Sequence, residues 1–128
     1  MSLREKLHVM VVDDMSTSRG LILQALDAMG VTHVRYTADG KAALAELEKK
    51  PAHLVISDYN MPGMDGLHLL KALRTHARLK GIGFILITGK ADKQIIDTGR
   101  ALGMNNFIKK PFAPKDLHAC MEAVVGRL

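Results

Sequence analysis

Short, uninterrupted apolar runs alternate along this chain with longer stretches of helical periodicity, and that alternation limits the fold more than any other feature. Val9-Met10-Val11-Val12, Leu54-Val55-Ile56 and Phe84-Ile85-Leu86-Ile87 contain no polar residue, and Val34-Arg35-Tyr36 and Phe107-Ile108 are shorter candidates of the same kind. A strand with one face in water alternates polar and apolar residues, whereas a run apolar at every position is buried on both faces. Strands of that type belong in a parallel sheet covered by helices on each side.

The segments between the runs supply those helices. Ser16 or Thr17 is placed to cap a helix carrying Ile22, Leu23, Leu26 and Met29, with Gly30 as its stop. Asp39 opens a second helix with Ala43, Leu44 and Leu47, closed by Pro51, and Asp65 opens a third with Leu69, Leu70 and Leu73 on one face. Asp92 opens a fourth, with Ile95, Ile96 and Leu102, stopped at Gly103. A fifth starts near Asp116, after Pro114, and turns Leu117, Met121 and Val124-Val125 inward. Five βα units in this order predict one doubly wound α/β domain over residues 1–128: a five-stranded parallel sheet in the flavodoxin-like order 2-1-3-4-5, with five helices.

Composition narrows the setting. An apolar content of 48% suffices for a core, and the single Cys rules out an internal disulfide and suits a reducing compartment. The N-terminal apolar run is ended at once by Asp13-Asp14, too short for a secretory segment or a membrane span, so a cytoplasmic protein without membrane insertion is expected. The net charge of +5 is dispersed, with no basic run longer than Lys49-Lys50 or Lys109-Lys110, and aromatics make up 4% of the chain. That pattern argues against nucleic-acid binding and suits an acidic protein partner better.

In folds of this class, function gathers outside the carboxyl ends of the strands, where strand order reverses. Each run ends on a polar residue of distinctive type: Asp13-Asp14 after the first, Asp58 after the third, Thr88 after the fourth and Lys110 after the fifth. With strands one and three as neighbours, three carboxylates meet at one place, which is unfavourable unless a cation joins them. Hard oxygen ligands favour Mg²⁺ over Zn²⁺, and Mg²⁺ orients and neutralises phosphate oxygens. A carboxylate beside it can act as a nucleophile and become an acyl phosphate, with Lys110 pairing to the phosphate and Thr88 donating a hydroxyl.

Taken together, Val11-Val12-Asp13-Asp14, the segment from Ser57-Asp58-Tyr59-Asn60-Met61-Pro62-Gly63 to Met64-Asp65-Gly66, Ile87-Thr88-Gly89 and Lys110-Pro111-Phe112 closely resemble the bacterial response-regulator receiver family. The resemblance runs over essentially the whole chain. Within the family it is greatest to the single-domain chemotaxis regulators, since the last helix pattern reaches the chain's end. It implies that Asp58 is the phosphoacceptor and that Asp14 and Asp58 are carboxylate ligands of Mg²⁺. Asn60 would supply a backbone carbonyl, Asp13 would hold a metal-bound water, and Thr88 and Lys110 would sense the phosphate. The Lys110-Pro111 bond is commonly cis in the family. The implied partners are a histidine kinase, of the chemotaxis type, and the flagellar motor switch protein, with the protein acting as a monomer.

One position departs from the chemotaxis pattern. Phe107 stands where those members usually have Tyr; it can still swing between exposed and buried rotamers, but it carries no hydroxyl, and a plain core role is the alternative. Lys90, two residues after Thr88, is a second tuning position or simply a solvated loop residue. Met29, Met104 and Met121 fall at core spacing, Cys120 is a buried or half-buried thiol, and His68, His76 and His118 receive no function.

Two other readings of the same residues are weaker. A haloacid-dehalogenase-like phosphatase also uses an Asp nucleophile, Mg²⁺, Thr or Ser and Lys, but requires an acid two residues after the nucleophile, where this chain has Asn60, whose amide cannot transfer protons. Autocatalysed phosphoryl uptake with slow self-dephosphorylation, not general phosphatase turnover, is therefore expected. No phosphate-cradling glycine motif points to a nucleotide. A phosphate sink for a shared kinase keeps the chemistry and drops the output partner.

Overall fold

A computed structural model describes residues 2–89 and 93–128. The expectations placed on Lys90 and on Asp92 as a helix start fall outside the described residues. Strands β1 (His8–Val12), β2 (His33–Thr37), β3 (Leu54–Asp58), β4 (Gly83–Thr88) and β5 (Asn106–Lys109) form one sheet in the order β2-β1-β3-β4-β5. Every pairing is parallel, as the apolar runs require.

Alternation within each run divides the side chains between two cores. Val9, Val11, Leu54, Ile56, Ile85 and Ile87 point to one face and pack under α2 (Ser16–Ala28) and α6 (Pro114–Val125). Met10, Val12, Val55, Phe84 and Leu86 point to the other, under α3 (Gly40–Lys49), α4 (Gly66–Thr75) and α5 (Lys93–Leu102). Because both faces are buried, the apolar runs of these strands carry no polar position before their ends.

The helix boundaries follow local chemistry. Asp39 and Asp65 cap α3 and α4, accepting the amides of Ala42 and His68. Gly30 and Gly103 take positive φ just past α2 and α5, where a side chain would be strained. Arg74, near the end of α4, donates to the carbonyls of Lys80, Ile82 and Gly103 and to Asn105 Oδ1, and so ties α4 to the start of β5.

Two expectations need correction. The described residues contain six helices, not five, the addition being a single turn, α1 (Leu3–Lys6). It buries none of its own residues and so leaves no apolar period in the sequence; its role is to deliver Leu7, which is buried, into β1. Nor does Ser16 or Thr17 cap α2. The N-cap is Met15, without a side-chain cap bond. Asp13 Oδ1 accepts the Met15 amide at 3.0 Å, which organises the turn before the helix, and the helix begins at Ser16.

Candidate functional site

Parallel register brings the strand ends together. Val12 pairs with Ser57, Asp58 with Ile87 and Thr88 with Lys109, so the chain leaves β1, β3, β4 and β5 along one edge of the sheet. Asp13, Asp14, Asp58, Thr88 and Lys110 all lie at that edge, as their positions in the sequence predicted.

Asp13 is completely buried, and its surroundings fix its orientation. Its amide extends the β1–β2 ladder to the Thr37 carbonyl at 3.2 Å, and the Arg19 guanidinium holds its carbonyl at 2.9 Å. Oδ1 accepts the Met15 amide, which leaves Oδ2 facing Lys110 Nζ at 3.9 Å, buried and without a hydrogen bond. A buried carboxylate oxygen with no donor is costly unless something positive reaches it.

Asp58, 5% exposed, receives Lys110 Nζ on Oδ1 at 2.9 Å. Lys110 is aimed by its own backbone: its amide donates to the Thr88 carbonyl at 2.8 Å, and the Lys110–Pro111 peptide is cis, as the resemblance implied. The Ser57 hydroxyl donates to the Asp58 carbonyl, and the Tyr59 amide to the Ile87 carbonyl at 2.8 Å, so the end of β3 is held from both sides. Burial, the largest influence, pushes the Asp58 carboxyl above the usual carboxylate range; Asp13 and Asp14 push the same way, and the Lys110 ammonium opposes them without prevailing.

Oxygens from Asp13, Asp14 and Asp58 lie within 4.8 Å of one another, with Asp14 on the solvent side. This donor set is all hard oxygen, open to water through Asp14, and includes the orphaned Oδ2 of Asp13. It fits a hard divalent cation such as Mg²⁺ and contains no nitrogen or sulfur ligand of the kind that marks a zinc centre. Asn60 is exposed in the loop after β3. Thr88 is buried at the end of β4, one residue past Ile87, the register partner of Asp58.

Phe107 lies farther out on β5, half-buried, with the Arg100 guanidinium over its ring at 5.7 Å from the centroid. It is therefore not a fully enclosed core residue. Cys120 is buried as expected, its thiol directed at the Phe107 carbonyl at 3.7 Å. Beside Lys110, between α2 and the start of α6, opens an apolar groove of about 750 Å³ lined by Met15, Leu21, Ala25, Phe112 and Pro114.

Sequence reasoning missed Arg19 and saw Ser57 and Gly66 only as parts of the motif. Arg19 donates to the Asp13 carbonyl and lies over the Tyr36 ring, and Ser57 donates to the Asp58 carbonyl. The reason for Gly66 is spatial: a Cβ there would stand 2.6 Å from the Asp58 carbonyl oxygen and 2.8 Å from Leu86 Cδ1.

Comparison with known proteins points the same way as this geometry. The family described as the response regulator receiver domain matches residues 9–122. A probable chemotaxis protein CheY of Rhizobium etli is 41% identical over 128 residues, covering 100% of this chain and 99% of that protein. Chemotaxis protein CheY1 of Helicobacter pylori is 37% identical over 121 residues, covering 94% of this chain and 98% of that one. Among solved structures, chemotaxis protein CheY4 of Vibrio cholerae superposes with a TM-score of 0.87 at 31% identity, covering 93% of this chain and 98% of that one.

Proposed function

The chain belongs to the response regulator receiver family, and from that membership we propose that it is a phosphoacceptor switch of two-component signalling, taking a phosphoryl group on Asp58 from a histidine kinase. The observation that carries the proposal is Asp58 itself: a buried carboxylate at a strand end, held above its usual range yet paired at 2.9 Å with a lysine. Burial makes its negative charge poorly solvated and so ready to form a bond, while Lys110 keeps it oriented.

In the transfer, an Asp58 carboxylate oxygen bonds to phosphorus as the bond from phosphorus to the kinase imidazole breaks. The electron pair leaves with the imidazole. Lys110 Nζ then pairs with a phosphoryl oxygen, and the Thr88 hydroxyl donates to another. Mg²⁺, held by Asp14, Asp58 and the Asn60 carbonyl, with Asp13 through a bound water, would neutralise phosphate oxygens as the charge is transferred. Asn60 cannot relay a proton, so the acyl phosphate turns over slowly and the protein is not a general phosphatase. The groove beside Lys110 gives the donor domain an apolar surface to rest on.

The relatives named as chemotaxis proteins support a place in chemotaxis. In our reading the target is the motor switch protein and the protein works as a monomer. Output would run through Phe107. When Thr88 moves toward the phosphoryl group, the ring leaves Arg100 and turns inward, changing the surface of α5, β5 and α6. Lys93, Arg100, Lys109 and Lys115 lie on that surface and suit an acidic partner peptide.

Incubation with acetyl phosphate and Mg²⁺, followed by intact mass, tests the assignment. Wild type is expected to gain one phosphoryl adduct, Asp58→Asn none, and Asp14→Ala none that depends on metal. A full adduct on Asp58→Asn at the wild-type rate overturns it. Amide shifts on phosphorylation confined to the pocket would favour a phosphate sink over a switch.

A further inference from the structure

At the N-terminal edge of the sheet, opposite the carboxylate site, three histidines from three segments converge. His8 begins β1, His33 begins β2 as its register partner, and His53 immediately precedes β3. The His8 and His33 rings stack with centroids 4.5 Å apart and planes 11° from parallel, and His53 meets His8 edge-on at 5.6 Å. His53 also binds the His8 backbone twice: its amide donates to the His8 carbonyl at 2.9 Å, and its Nδ1 accepts the His8 amide at 2.9 Å. Its carbonyl accepts the Gly83 amide at 3.0 Å. One residue thus joins the beginnings of β1, β3 and β4.

The charges bearing on His8 come from His33 and Arg35 of β2 and from Lys50 and His53 of the segment before β3, with no carboxylate among them. The Arg35 guanidinium is fixed in place by the Lys50 carbonyl at 2.6 Å. Burial first, and then these neighbours, hold the His8 imidazole below its ordinary value. A proton on His53 Nδ1 would turn the acceptor of the His8 amide into a second donor facing it. A proton on His8 or His33 would set charge against charge across the stack. A proton on the cluster therefore works against closure.

We propose that His8, His33 and His53 form an acid-released clasp, which closes the N-terminal edge of the sheet while neutral and opens it when protonated. The clasp makes the protein sensitive to pH independently of the carboxylate site, and it does not rest on the proposed phosphoryl transfer. The sign follows from His8. With its folded-state value depressed, the unfolded chain binds the proton more readily, so the clasp's stabilisation is present above the unfolded histidine value of about 6.5 and is lost as pH falls below it through the depressed folded-state value. Asp58, whose carboxyl is raised, works in the opposite direction, and His68, His76 and His118 each face a carboxylate instead. These groups are the same in wild type and variant, so the comparison between the two isolates the clasp.

The test is urea unfolding at about pH 7.5 and about pH 5.5 of wild type and of the double variant His33→Asn/His53→Asn, in which the amide side chain introduced at position 53 keeps an acceptor oxygen but cannot titrate in this range. Between these pH values the wild-type folding constant should fall severalfold further than that of the variant. In wild type alone, the hydrogen-exchange protection of the His8 amide should fall by a similar factor relative to that of Val11, after correction for intrinsic rates. Parallel pH profiles for the two proteins, or unchanged His8 protection, would overturn the proposal. If the variant does not fold, the wild-type exchange decides it.

Discussion

Replacing glycine with alanine should have opposite effects at two helical positions in this protein. Gly20 lies inside α2, and a Cβ there would meet nothing within 4 Å. Alanine is better in a helix interior by about 1 kcal/mol, so Gly20→Ala should stabilise by about that amount. Gly66 opens α4, and its φ is not left-handed, so the argument there concerns space alone. Its Cβ would stand 2.6 Å from the Asp58 carbonyl oxygen, 2.8 Å from Leu86 Cδ1 and 3.1 Å from Tyr59 Cα. Two of these neighbours are backbone and the third is a fully buried side chain, so none can move away cheaply. Overpacking of this kind costs about 1–3 kcal/mol, and the helix-propensity gain at the first position of α4 offsets little of it. A net loss of about 1–2 kcal/mol is expected, which for a domain of this size lowers Tm by about 3–10 °C. The carbonyl that is displaced belongs to Asp58, so phosphoryl uptake by Gly66→Ala should fall as well, whereas Gly20→Ala should take up phosphate normally. Urea unfolding and the acetyl phosphate assay read both effects. If Gly66→Ala is as stable as Gly20→Ala, the close approach of the two segments is wrong.

Two further outcomes follow from the ionisable groups. Lys110→Met removes the cation that holds the Asp58 carboxyl down against burial, so its titration, followed by carbon NMR, should move still higher. The folded state then binds a proton more readily than the unfolded chain, so the variant should lose stability at neutral pH and recover it on acidification; an unchanged or lower Asp58 titration would refute this. Burial pushes the Cys120 thiol up to about 11, so at mildly alkaline pH it should react with a disulfide reagent far more slowly in the native protein than in urea, and equal rates would contradict its placement.

Much of the molecule could be read from local chemistry. Runs such as Val9-Met10-Val11-Val12 specify strands buried on two faces, because no position in them tolerates water. Asp39 and Asp65 mark their helix starts because an N-cap carboxylate bonds an amide only three residues away. The candidate site was legible for a related reason: in a parallel sheet, whatever follows each strand arrives at the same edge, so Asp13, Asp58, Thr88 and Lys110 could be brought together from order alone.

Tertiary structure decided what depends on contacts between distant segments. The one-turn α1 has no apolar period to read, and α2 starts from Met15, which has no capping side chain and follows a turn in which Asp13 Oδ1 takes the Met15 amide. Arg19 and Ser57 hold the site through carbonyl oxygens that every residue possesses, so these roles carry no signal until the chain is folded. The three histidines at the far edge lie 25 and 20 residues apart in sequence and become neighbours only through strand register. Sequence determined which groups this protein can bring to bear; packing determined which of their atoms are buried, paired or left facing one another, because burial and hydrogen bonding depend on where the rest of the chain lies.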